Sequence, residues 1–151
     1  MGTRAMVCVE DPNGGYVAYY KHLDGYPRAL GWELYKFLSS NPEDAMDALL
    51  SRPPKKLGLE HERHVDRFET VFDLQSDLEW IYVVENFPSP HKDLIKITVY
   101  RTSFPWFRKK FITPVCSVFT HYEAQEANQM LRFAEMATDI AVNILYRLLE
   151  S

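Results

Sequence analysis

The chain has 151 residues, of which 46% are apolar, 25% charged and 14% aromatic, the make-up of a globular domain rather than of a disordered, collagenous or coiled-coil chain. A chain of this length buries roughly 70% of the surface its unfolded form exposes, enough for a core without disulfides or a structural metal. The 17 Lys and Arg are outnumbered by 21 Asp and Glu, a net charge of −4, which argues against a surface made as a whole to hold nucleic acid or an anionic membrane.

The first residues lack the apolar stretch of a secretory leader, and Met6 stands where a myristoylation signal needs Ser or Thr. No run approaches the ~20 apolar residues of a membrane span, so a cytoplasmic protein without a membrane partner is expected. Residues 6–10 and 16–21 are β-branched and aromatic runs flanking Asp11-Pro12-Asn13-Gly14-Gly15. Pro12 presets φ and Asn13-Gly14 supplies positive φ, which predicts a β-hairpin. Cys8 and Cys116 lie in apolar surroundings without metal or disulfide spacing and read as small buried hydrophobes in a reducing compartment.

After Asp24-Gly25-Tyr26-Pro27, the spacing of Leu30, Leu34, Phe37 and Leu38 forms one helical stripe that closes at Ser39-Ser40-Asn41-Pro42. Asn41 reads as the N-cap of a second short helix reaching about Leu50, with Pro42 at its first position and Glu43 and Asp44 in its first turn. Residues 51–58, with a double proline and a glycine, read as an exposed loop. Strand-like runs follow at 65–72, 78–85 and 94–101. In the last, Ile95, Ile97 and Val99 alternate with Leu94, Lys96, Thr98 and Tyr100, so one sheet face is mixed and meets solvent or a partner.

From Thr120 the period becomes helical, with Thr120 as cap and Glu123 completing a capping box. Ala127, Leu131, Ala134, Ala141, Leu145 and Leu148 form one stripe, and Met130, Phe133, Ala137, Ile140 and Ile144 a second. The expected fold is therefore a single α+β domain over residues 1–151. An antiparallel sheet contains the N-terminal hairpin, two short helices follow that hairpin, and a long C-terminal helix packs on one face. The mixed sheet face and the wide helical stripe together imply a homodimer.

The densest polar and aromatic segment is Tyr19-Tyr20-Lys21-His22-Leu23-Asp24-Gly25-Tyr26-Pro27. It resembles a family of uncharacterised phage, bacterial and archaeal proteins whose hairpin ends in Tyr-x-His-Trp-Asp-Gly-Tyr-Pro before a helix. Tyr20, His22, Asp24, Gly25, Tyr26 and Pro27 match, whereas Leu23 replaces the usual Trp. The likeness covers roughly the first 38 residues and, more loosely, Asp77-Leu78-Glu79-Trp80-Ile81-Tyr82-Val83. It implies a mobile-element origin and no defined activity. On an extended strand His22 and Asp24 would share one face, so Tyr20, His22, Asp24, Tyr26 and Arg28 are candidate ligand-binding residues. The competing reading makes Asp24 a cap and the tyrosines ordinary packing.

His61, His64 and Asp66 offer metal-ligand types, but the histidines are three apart and not in an HExxH pattern, so a solvated charged edge is the better reading and no metal site is expected. Phe104-Pro105-Trp106-Phe107-Arg108-Lys109-Lys110 interleaves aromatics with cations. Trp106, Arg108, Lys109 and Lys110 are accordingly candidates for single-stranded nucleic acid, the less favoured partner. No phosphate loop, dinucleotide glycine pattern or nucleophile elbow is present, and no cofactor is expected. The sequence thus favours a non-enzymatic binding or interaction module with an unidentified small-molecule or protein partner. The alternatives are a small enzyme using His22 and Asp24 as an acid–base pair, with Lys21 or Arg28 holding an anionic substrate, and a nucleic-acid binder.

Overall fold

Runs of β-branched and aromatic residues separated by Gly, Pro and Asn punctuate this chain into strands, and the computed structural model pairs them into one sheet. The structure describes residues 3–75, 77–87, 94–102 and 112–150, with only the helix backbone at 72, 137–146 and 148–150. The strands are β1 (Ala5–Glu10), β2 (Tyr16–Lys21), β3 (Leu59–Val65), β4 (Trp80–Phe87), β5 (Leu94–Thr102) and β6 (Ile112–Phe119). The helices are α1 (Trp32–Ser40), α2 (Pro42–Ser51), the single turn α3 (Val71–Leu74) and α4 (Ala124–Glu150). A π-type turn, Pro27–Gly31, leads into α1. The architecture is α+β, with strand order β3-β2-β1-β4-β5-β6.

The sheet is mixed, which corrects the expectation of an antiparallel one. β1 and β4 lie side by side in parallel, Ala5 opposite Trp80 and Val9 opposite Val84, while every other neighbour is antiparallel. Parallel neighbours need a long crossover, and residues 11–79, which include α1 and α2, provide it. β1 and β2 pair with Glu10 opposite Tyr16. The positive φ of their turn falls on Gly14 and Gly15 rather than on Asn13.

Alternation divides the core in two. Ala5, Val7, Val9, Tyr82, Val84, Ile97 and Val99 face Leu34, Leu38, Leu49 and Leu131, so α1, α2 and α4 share one face of the sheet. On the other face Met6, Cys8, Ala18, Ile81 and Val83 are buried beneath Val71 and Leu78. The segment 66–79 therefore covers the middle of the face expected to meet solvent or a partner.

That cover comes from a misassigned run. Residues 65–72 are not a strand: Val65 ends β3, residues 68–70 form a 3₁₀ turn and α3 follows. Val65, Phe68 and Val71 recur every third position, a helical spacing rather than the alternation of a strand. The charged stretch ahead of them, expected to be an edge leading into a strand, is itself edge strand β3, and its charges discourage further pairing. β4 begins at Trp80, two residues later than the run suggested. β6 was hidden by Pro114, which an outer strand tolerates because its missing N–H need not belong to the ladder.

Two caps also differ. α4 starts at Ala124, where Ala127 N donates to Glu123 O, while Thr120 Oγ1 accepts from Ile95 N at 3.2 Å and ties β6 to β5. The Asn41 side chain makes no cap bond and donates instead to Asp44 Oδ2 at 2.8 Å. Among the described residues no helix is long and apolar enough to cross a membrane.

Candidate functional site

β2 ends at Lys21, so the segment that follows leaves the strand before His22 and Asp24 can act as strand neighbours. Asp24 adopts φ of 57°, a left-handed conformation that turns the chain toward the sheet. The φ of the neighbouring Gly25 is not positive. This position needs glycine for another reason, since a Cβ there would lie 2.7 Å from Ala5 Cβ and 2.9 Å from Thr3 O. Gly25 N donates to Thr3 O at 2.9 Å, and the Gly25 carbonyl accepts from the fully buried Tyr82 hydroxyl at 2.6 Å. Burial pushes the Tyr82 phenol well above its ordinary pKa, so it remains a donor. The motif thus joins β2, the start of β1, β4 and the helix layer.

The structure scatters its polar groups. His22, Asp24, Tyr26 and Arg28 are exposed, and the Tyr20 ring is buried between His22 and His61, with centroids 6.2 Å away on each side. The Tyr20 hydroxyl donates to Asp77 Oδ2 at 3.4 Å, and the same oxygen pairs with Arg4 Nε at 2.9 Å. Arg28 is held by Glu135 of α4, which accepts from its backbone N at 2.8 Å and its Nε at 2.9 Å. Of the candidates Tyr20, His22, Asp24, Tyr26 and Arg28, the structure thus brings Tyr20 and His22 together and turns Arg28 to Glu135 of α4.

The histidines of β3 serve the fold. His64 Nε2 lies 3.0 Å from Gly14 O and 3.6 Å from Asp11 Oδ2, bracing the β1–β2 turn, and His61, at φ 54°, sits at the bulge opposite Tyr20. Among the described residues no cluster of His, Cys, Asp and Glu could hold a metal ion. Trp106, Arg108, Lys109 and Lys110 lie outside the described residues. Both cysteines are free. Cys8 is buried, and burial raises the Cys116 thiol to about 11.

Elsewhere a cleft of about 950 Å³ opens between the β1–β2 turn and α2. Met46, Leu50 and Ile95 supply apolar lining, while Glu10, Asp11, Glu43, Asp47 and Asp66 bring five carboxylates, and among the described residues its lining contains neither Lys nor Arg. Glu10 accepts from Asn86 N at 3.2 Å and Asp11 from Asn13 N at 3.0 Å. Glu43, Asp47 and Asp66 have no ion-pair partner among the described residues. Tyr16, also in the lining, donates to Glu85 Oε2 at 3.3 Å, and burial together with the Glu85 charge raises its pKa to about 12. Such a surface carries uncompensated negative charge beside apolar area. Sequence reading missed it because its acids come from the end of β1, from α2 and from the residue after β3. The one local signal was Glu43, Asp44 and Asp47 clustered in the first half of α2. No protein-family model, curated protein or solved structure matches this chain.

Proposed function

We propose that the protein is a non-enzymatic binding module that seats a cationic, partly aliphatic group, of the chemistry of an alkylammonium or alkylguanidinium, in the cleft between the β1–β2 turn and α2. The observation that carries this reading is the combination of five carboxylates, no Lys or Arg among the described lining residues, and apolar lining from Met46, Leu50 and Ile95 in one cleft of about 950 Å³. An ammonium head would meet the carboxylates while its methylene stem covers the apolar lining, as long cationic side chains do on protein surfaces. His22 is exposed and lies outside that lining, so the reading rests on the carboxylates of the cleft rather than on a His22–Asp24 acid–base pair. The likeness of the hairpin-to-helix motif supports a mobile-element origin, and a homodimer completes the proposal.

Titration with spermidine and with a short Lys/Arg peptide, followed by amide chemical shifts, tests the reading. Shifts should localise to residues 10–16 and 41–50, and affinity should fall several-fold between 20 and 200 mM salt, about as expected when exposed charges are screened. Glu43→Gln with Asp47→Asn should weaken binding further. Shifts that are absent, or that spread evenly over the acidic surface, would refute it.

A further inference from the structure

α4 is a 27-residue helix, and among its described side chains Ala127, Leu131 and Ala134 are buried. They face β6 and the Pro27–Gly31 turn, where Leu131 closes against Gly31. A second line of positions runs along the same helix about a quarter-turn away: Glu126, Met130, Phe133, Ala137, Ile140, Ile144 and Arg147. Its spacing alternates four and three residues throughout, the repeat of a helix seam that packs against another helix. Among the described side chains of this line Phe133 is 60% exposed, Glu126 and Arg147 are exposed, and Met130 is half-buried against the core.

The line is also palindromic in chemistry. Read from either end about Ala137 it runs charge, large apolar, large apolar, small, large apolar, large apolar, charge, and the two end charges are opposite in sign. Laid antiparallel on a second copy about a two-fold axis at Ala137, Met130 comes level with the partner copy's position 144, while Glu126 and Phe133 come within one residue's rise, ~1.5 Å, of positions 147 and 140. The small residue stands where two helices approach most closely. A parallel pairing would instead place Arg147 against its own copy and Glu126 against its own. Within one helix Glu126 and Arg147 are about 31 Å apart at ~1.5 Å rise per residue, so they cannot satisfy each other.

We propose that the occupant of this seam is a second copy of the chain, through an antiparallel α4–α4 contact with isologous symmetry centred at Ala137. This names the surface of the homodimer included above and does not depend on what the cleft binds.

Sedimentation equilibrium from 1 to 200 µM tests it, with circular dichroism confirming that each variant stays folded. The wild type should self-associate, and Phe133→Glu, which places a charge at a position already open in the single chain, should be monomeric across the range. Glu126→Arg and Arg147→Glu should each weaken the dimer roughly 5- to 100-fold at low salt, since by symmetry each exchanges two attractive pairs for two repulsive ones. The double variant should recover most of the loss. A wild type that stays monomeric at 200 µM, or a Phe133→Glu dimer as tight as wild type, would overturn the proposal. Single reversals that the double variant fails to rescue would overturn the antiparallel arrangement. The cleft titration reads independently: a cleft that binds polyamine in the monomeric Phe133→Glu protein separates failure of the dimer from failure of the binding module.

Discussion

Substituting Gly25 by alanine tests whether the hairpin-to-helix motif is a joint of the fold. The added methyl carbon would stand 2.7 Å from Ala5 Cβ, 2.9 Å from Thr3 O and 3.1 Å from Ala5 N, so the chain must move away from β1. Overpacking of this kind costs about 1–3 kcal/mol. Because the same residue's carbonyl holds the buried Tyr82 hydroxyl at 2.6 Å, displacement also weakens a hydrogen bond with a net value of about 1 kcal/mol. The expected loss is about 2–4 kcal/mol, or roughly 5–15 °C in melting temperature for a chain of this size. Urea and thermal unfolding of Gly25→Ala measure it. The clash has a named partner, so Ala5→Gly in the Gly25→Ala background should return part of the loss, a coupling of about 1 kcal/mol or more. Thr3 O and Ala5 N remain in place, and rescue should be incomplete. A Gly25→Ala variant within 0.5 kcal/mol of wild type, or a double variant no better than the sum of its parts, refutes the packing argument.

Asp24, by contrast, holds a left-handed conformation without burial, so Asp24→Gly should be neutral or stabilise the protein by up to about 1 kcal/mol in thermal melts, and a loss above that would show that its carboxylate supports the turn. Tyr82→Phe leaves the Gly25 carbonyl without its buried donor and should cost about 1–3 kcal/mol by urea unfolding; a neutral result would remove the hydrogen bond from the account. With the Cys116 thiol raised to about 11 by burial, native labelling by iodoacetamide at pH 8 should run roughly two orders of magnitude slower than for a free thiol and rise about tenfold per pH unit up to that value. The tyrosines and cysteines whose pKa values are raised favour the neutral form in the fold. Their contribution to stability is complete below their unfolded values near pH 9–10 and is lost as pH rises toward 12 and beyond, so alkaline unfolding monitored by circular dichroism should begin above about pH 9.5; stability unchanged to pH 12 would contradict it.

The helical stripes were legible because a period of 3.6 carries over many residues: Leu34 and Leu38 of α1, and Ala127, Leu131 and Ala134 of α4, are buried at their predicted spacing. β5 was legible for the corresponding reason, since Ile95, Ile97 and Val99 alternate with Lys96, Thr98 and Tyr100. β6 and the 68–74 turn were not. A proline inside one disguises it as a loop, and in the other the β-branched and aromatic residues favour a strand while their third-residue spacing favours a helical turn, so only the neighbouring strand or the sheet face beneath selects the outcome.

The candidate site divides along the same line. The amino-acid sequence by itself determined that residues 20–28 form a crowded corner of aromatics, turn residues and a proline, because those preferences are local to the backbone. It could not say which residue bends and which is pressed: that Asp24 takes the left-handed conformation while Gly25 lies against Ala5 depends on β1 passing within van der Waals reach. Nor could it place Glu10, Asp11, Glu43, Asp47 and Asp66 around one cleft, since they come from three parts of the chain. The parallel pairing of β1 with β4 was likewise a tertiary decision. Strand direction follows from how the intervening helices cross the sheet, and neither composition nor periodicity within a strand records that path.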